Sequence, residues 1–116
     1  MTSEKQILHA ILSTFGSLPW MRLMRCNAGK AYTTGGKWIE LAPAGAADLN
    51  GWLCIPSAAH SAGRRIEIEV KSARGTMRLQ QQRYRVACLA GGVLHIVARS
   101  VDDVWTALER EGYPTR

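Results

Sequence analysis

Glu69 and Lys71 stand two residues apart in a short segment, a carboxylate beside an ammonium, and Asp48 supplies a second carboxylate upstream. The segment Arg65 to Lys71 alternates strictly, with Ile66, Ile68 and Val70 set against Glu67, Glu69 and Lys71. Successive side chains of a strand point to opposite faces, so Glu69 and Lys71 share one face, roughly 6.5 to 7 Å apart at the backbone. That spacing suits a single pocket. Hydrolysis of a phosphodiester needs a divalent metal to neutralise the transition state and to lower the pKa of the attacking water, and carboxylates are the hard oxygen ligands Mg2+ prefers. Asp48, delivered by a turn containing Pro43 and Gly45, can join Glu69 as a metal ligand. Lys71 can hold the attacking water or stabilise developing negative charge. The plain alternative for Glu67, Glu69 and Lys71 is a solvated strand face with a weak ion pair.

Other chemistries have little support. Cys26, Cys54 and Cys88 are too scattered for a disulfide framework and form no C-x-x-C pair for structural zinc, so they read as reduced, buried thiols. His9, His60 and His95 are equally dispersed and read as ordinary structural residues.

The chain carries 15 Lys and Arg against 9 Asp and Glu, a formal charge of +6, which points to nucleic acid as the partner. No basic amphipathic helix offers a bulky apolar face to a membrane. The first residues include Glu4, Lys5 and His9, which interrupt any signal-peptide or membrane-spanning core, so the expected location is the cytoplasm. With 116 residues, 47% hydrophobic and 21% charged, one globular domain spanning residues 1–116 is expected.

The elements that must hold these side chains can be read from periodicity and caps. Ser3 and Gln6 form a capping box ahead of Ile7, Leu8, Ile11, Leu12 and Phe15, which recur at helical spacing until Gly16 and Pro19. Residues 20 to 28 suggest a strand, Gly29 to Lys37 a loop, Trp38 to Leu41 a short strand, and Leu49 to Ile55 another. Pro56 to Gly63 reads as a hairpin-type connection into the strand Arg65 to Lys71. A helix from about Arg78 to Ala90 stops at Gly91 and Gly92, a strand runs from Val93 to Ala98, and Ser100 caps a last helix with Val101, Val104, Trp105 and Leu108 as its stripe. The order is a helix, three or four strands in a meander, a helix, a strand and a helix; with the short Trp38 to Leu41 segment left out it is α-β-β-β-α-β-α, an α/β fold with a mixed sheet flanked by helices. Trp20, Trp38, Trp52 and Trp105 read as core or interface aromatics, with base stacking as the alternative.

Taken together, these blocks resemble the VRR-NUC branch of the PD-(D/E)xK nuclease superfamily, a restriction-endonuclease-like fold. The resemblance covers nearly the whole chain: the helix from Glu4, the strand end at Arg25, Asn27 and Gly29, the Gly45 to Asp48 turn, Ile68 to Lys71, Gly75 to Gln81, and Gly92 through Arg99, Ser100 and Asp103 to Val104. It implies that Asp48 and Glu69 bind Mg2+, which Mn2+ can replace, that Lys71 assists hydrolysis, and that a helix glutamine and Glu4 complete the site. Among Gln80, Gln81 and Gln82, counting six residues from Gly75 and three back from Tyr84 selects Gln81. Asp48 departs from the commoner family context in being surrounded by alanines, and Glu4 also suits the positive end of its helix dipole. Small stand-alone members look like phage proteins and resemble Holliday-junction resolvases, which implies a homodimer acting on branched or flapped DNA. Arg25, Lys30, Lys37, Arg74 and Arg78 flank the site in sequence and are candidate phosphate contacts. The competing readings are a non-catalytic basic DNA-binding module for recombination or repair, and a partner-regulated restriction-type enzyme with sequence preference.

Overall fold

A computed structural model describes residues 2–26, 29–54 and 63–115, leaving aside the side chains of residues 29–31, 40 and 41. The chain forms α1 (Glu4–Phe15), β1 (Met21–Arg25), β2 (Gly29–Tyr32), β3 (Trp38–Ala42), β4 (Leu49–Leu53), β5 (Arg64–Val70), α2 (Leu79–Ala90), β6 (Leu94–Ala98) and α3 (Val101–Arg110). β1, β4, β5 and β6 make one mixed sheet in that spatial order. β1, β4 and β5 form an antiparallel meander, while β6 runs parallel to β5 after the crossover through α2. The fold is therefore α/β, with the main-sheet order α-β-β-β-α-β-α expected from the sequence.

The two faces of the sheet differ because the strands alternate. Ile7, Leu8, Ile11 and Phe15 of α1 and Val104 and Leu108 of α3 pack over Met21, Leu23, Leu49, Leu53, Ile66, Ile68, Val70 and Ile96. Phe15 and Trp105 meet with ring centroids 4.6 Å apart, joining the two helices. α1 starts at the expected capping box: the Ser3 hydroxyl accepts from the Gln6 N–H at 3.2 Å, and Gln6 Oε1 accepts from the Ser3 N–H at 2.9 Å. α3 starts where Ser100 Oγ accepts from the Asp103 N–H at 3.2 Å. Such caps contribute about 1 kcal/mol each. The opposite face of the sheet is polar, and α2 lies over its β5 and β6 half.

One expectation is corrected. Gly29–Tyr32, read as loop, is a strand paired antiparallel with β3, and only residues 33–37 turn. This two-stranded ribbon packs against no other element among the described residues, so it buries no apolar stripe and leaves no periodicity to read. Its Tyr32 and Trp38 are exposed and touch edge to face at 5.0 Å. The other boundaries shift by one to three residues. The expected strand residue Ile55 and the connection from Pro56, together with Asn27 and His60, lie outside the described residues. No helix among the described residues is long and apolar enough to cross a membrane.

Candidate active site

The site forms where β4 begins and β5 ends. Leu49 pairs with Ile68, and the same antiparallel register carried one residue further sets Asp48 opposite Glu69. Asp48 is fixed at both ends of its residue. Its Oδ2 accepts from the Val70 N–H at 2.7 Å, and its carbonyl accepts from the Cys26 N–H at 2.8 Å. The turn before it depends on Gly45, at φ +86° with its α-carbon hard against the first turn of α2. A Cβ there would stand 2.3 Å from the carbonyl oxygen of Gln80, so glycine lets the Asp48 turn and the start of α2 touch backbone to backbone.

From that first turn of α2, Gln81 reaches back to the sheet. Its Nε2 donates to Glu69 Oε1 at 2.7 Å, while its Oε1 accepts from the Arg78 N–H at 2.9 Å. The two ends of one amide thus fasten the helix start to the carboxylate. Gln80 and Gln82 are exposed, and Gln82 turns to the Met77 carbonyl instead. Glu69 Oε1 also lies 3.4 Å from Lys71 Nζ. Contrary to a solvated strand face, Glu69 and Lys71 are 2% and 7% exposed. Glu69 Oε2 is buried with no hydrogen-bond partner.

Burial is the main reason the Glu69 carboxyl is pushed up from 4.5 to about 7; the negative charge of Asp48 adds to it, Lys71 opposes it, and Glu4 adds a smaller share. The charges of Asp48 and Glu4 are therefore both felt at Glu69. Glu4 and Asp48 share a cavity of about 230 Å3 with His9, Arg25 and Val70. Glu4 also faces the loop after β5: a Cβ on Gly75 would be 3.3 Å from its Oε1.

Among the described residues no three His, Cys, Asp or Glu side chains stand close enough to encircle a metal ion. Mg2+ does not require such a cage, because it keeps several waters and takes one or two carboxylates. Asp48 with Glu69, whose second oxygen has no protein partner, fits that donor set.

The expected phosphate contacts divide. Arg25 lines the carboxylate cavity, and Arg74 and Arg78 are exposed on the segment joining β5 to α2. Lys37 is exposed in the turn of the separate hairpin, away from the sheet, and the Lys30 side chain lies outside the described residues.

Arg99, Glu67, Tyr84 and Cys88 were not among the expected site residues. Arg99 donates from Nη1 to the Ser72 carbonyl and, at 2.7 Å, to the Gly75 carbonyl, tying down the loop behind Lys71. Glu67, also on the polar face, is 3% exposed and does not join the carboxylate site. It accepts instead from the Tyr84 hydroxyl, from Arg65 Nε at 3.1 Å and from the Cys88 thiol at 3.5 Å. Burial, followed by Glu67, raises both the Tyr84 phenol and the Cys88 thiol above their usual ranges. The i, i+4 spacing of Tyr84 and Cys88 was the available signal, since it puts both on one helix face. Cys88 is buried, while Cys26 and Cys54 are half-buried.

Comparison with family models, with curated proteins and with solved structures gave no match.

Proposed function

We propose that this protein is a metal-dependent endonuclease that hydrolyses phosphodiester bonds in branched or flapped DNA, as its resemblance to VRR-NUC nucleases implies. The observation that carries the reading is the Glu69 carboxylate: buried, opposite Asp48, with one oxygen lacking a partner and the other between Gln81 and Lys71. A strongly perturbed carboxyl with a specific charge partner at the carboxyl end of parallel strands is a common mark of a functional site.

Asp48 and Glu69 would hold Mg2+ or Mn2+, which when bound supplies charge neutralisation at the phosphate and a more acidic water. The chain's own groups do the remaining work. Gln81 and the Val70 N–H fix the directions of the two carboxylates, so neither reorganises during the reaction. Lys71, nearly buried, offers its ammonium to the attacking water or to the oxygen that gains negative charge. Glu4 closes the cavity beside Asp48, and Arg25 at its wall neutralises an incoming phosphate. The +6 chain supports affinity for DNA that is independent of sequence.

A four-way junction presents two equivalent cleavage points, which favours a two-fold homodimer. Met24 and Trp52, exposed beside Arg22 and Asn50 on the sheet half that α2 leaves uncovered, offer two apolar side chains for it. Size-exclusion chromatography with light scattering is expected to show a dimer, and a monomer under cleavage conditions removes that part of the proposal.

The test uses fluorescent flap, four-way junction and linear duplex substrates with Mg2+ or Mn2+. Wild type is expected to cut the branched substrates at positions set by their shape, and Glu69→Ala and Lys71→Ala are expected not to cut. Binding without metal-dependent cutting identifies a non-catalytic DNA-binding module. Clustered cuts on linear duplex identify a sequence-reading enzyme.

A further inference from the structure

The outer edge of β6, between α2 and α3, borders a cavity of about 440 Å3, and the catalysis proposed above does not use it. Arg85 from α2, Arg99 beyond the end of β6 and Arg110 from the last turn of α3 line it. Two carboxylates also border it, and both have partners. Asp103 Oδ2 accepts from the Arg99 N–H at 2.8 Å, and Glu111 lies 3.4 Å from Arg64 Nη1. The Arg99 N–H is a neutral amide, so Asp103 keeps its charge, but Arg64 offsets Glu111 and the three guanidinium groups leave the cavity positive on balance.

His95 completes the wall from the α2 face of the sheet. It is 3% exposed, its ring lies edge to face against Tyr84, and its Nδ1 is buried with no hydrogen-bond partner. Burial, with Arg85 second, pushes the imidazole down to about 4, so the ring is neutral at neutral pH. In the tautomer that carries its hydrogen on Nδ1 the neutral ring donates, and such a donor in a cavity lined by three arginines suits an oxyanion. Native proteins seldom leave such an atom unbonded unless water, an ion or a ligand supplies the bond.

We propose that this cavity is a second phosphate site, in which Arg85, Arg110 and the His95 Nδ1 hold a backbone phosphate of the DNA whose cleavage occurs at Asp48 and Glu69. The identity of the ligand rests on the nuclease reading. Arg99 links the two places, because it walls the cavity and also holds the loop that follows Lys71. Val97 pairs with Glu69 in parallel register, so the cavity runs back along the sheet edge from the catalytic end. One arm of a branched substrate can then be gripped here while another reaches the carboxylates.

The test compares wild type with an Arg85→Gln/Arg110→Gln double variant, both positions lying outside the catalytic machinery. Anisotropy of labelled flap DNA is measured across a salt series. The plot of log affinity against log salt is expected to lose about 0.9 of its slope in the variant, the share of one phosphate contact. Cleavage at saturating DNA is expected to stay within about twofold of wild type, with the loss confined to KM. As a readout independent of DNA, inorganic phosphate is titrated into labelled protein while the His95 imidazole resonances are followed. Movement in wild type that is absent in the variant supports the site.

An unchanged salt slope alongside normal cleavage overturns the second site and leaves the nuclease reading standing. A wild-type dimer that dissociates in the variant also overturns it, by showing that the edge binds another copy of the chain. If wild type never cuts DNA, the nuclease reading fails, while the salt slope and the His95 resonances still decide the phosphate site.

Discussion

Replacing Glu69 by glutamine keeps the shape of the side chain and removes its ionisable proton, which makes it a direct probe of the charge stored at this site. In the metal-free protein the folded-state carboxyl titrates near 7 rather than at 4.5. That difference corresponds to about 3 kcal/mol. Between these two values the unfolded chain has given up the proton and the folded protein still holds it, so the folded state binds more protons and stability falls as pH rises. Below 4.5 the carboxyl is protonated in both states and nothing is lost; above about 7 the whole loss is present. The variant lacks this loss. In EDTA, its stability advantage is expected to grow by about 2 to 3 kcal/mol from pH 5 to pH 8, read from urea denaturation midpoints at constant m-value. Saturating Mg2+ should then narrow the gap at pH 8, because an ion at 100 times its Kd stabilises the wild type by about 2.7 kcal/mol and finds no equivalent site in the variant. A gap that does not change with pH, or a wild type that gains on the variant as pH rises, refutes the assignment of a buried, electrostatically opposed carboxylate.

Further outcomes follow from the same geometry. Gly45→Ala is expected to cost at least 2 kcal/mol in urea denaturation, from the left-handed backbone and a Cβ 2.3 Å from the Gln80 oxygen; Gly92→Ala, with similar φ but open space, is expected to cost about 1 kcal/mol. Gln81→Ala is expected to slow cleavage about tenfold or more, as loss of a ligand-orienting partner typically does, while Gln80→Ala and Gln82→Ala stay near wild type in the junction assay. Asp48→Asn retains an oxygen for the Val70 N–H and should therefore melt close to wild type. Its Mn2+ affinity by calorimetry is nevertheless expected to drop by at least about 100-fold.

Local rules made much of this fold readable before any coordinates. α1 and α3 were legible because apolar spacing and caps agree, and β5 because its alternation is strict. α2 has only Cys88 buried among its residues, so its sequence showed where it stops and not what it covers. For that reason the burial of Glu67, Glu69 and Lys71 could not be read: alternation separates two faces and says nothing about whether a helix lies over the polar one. The pairing of Asp48 with Glu69 depends on strand register, and the contact of Gly45 with α2 on tertiary packing. The roles of Arg99 and His95 likewise arise between elements distant in sequence. β2 was missed for the opposite reason, since among the described residues its hairpin with β3 packs on no other element.

The central claim is that Asp48 and Glu69 together hold a divalent ion. Anomalous diffraction from crystals soaked in Mn2+ tests it most directly. The account predicts a peak bridging those two carboxylates beside Lys71, absent from Glu69→Gln crystals treated in the same way. Occupied Mn2+ sites elsewhere, with this position empty, would contradict it.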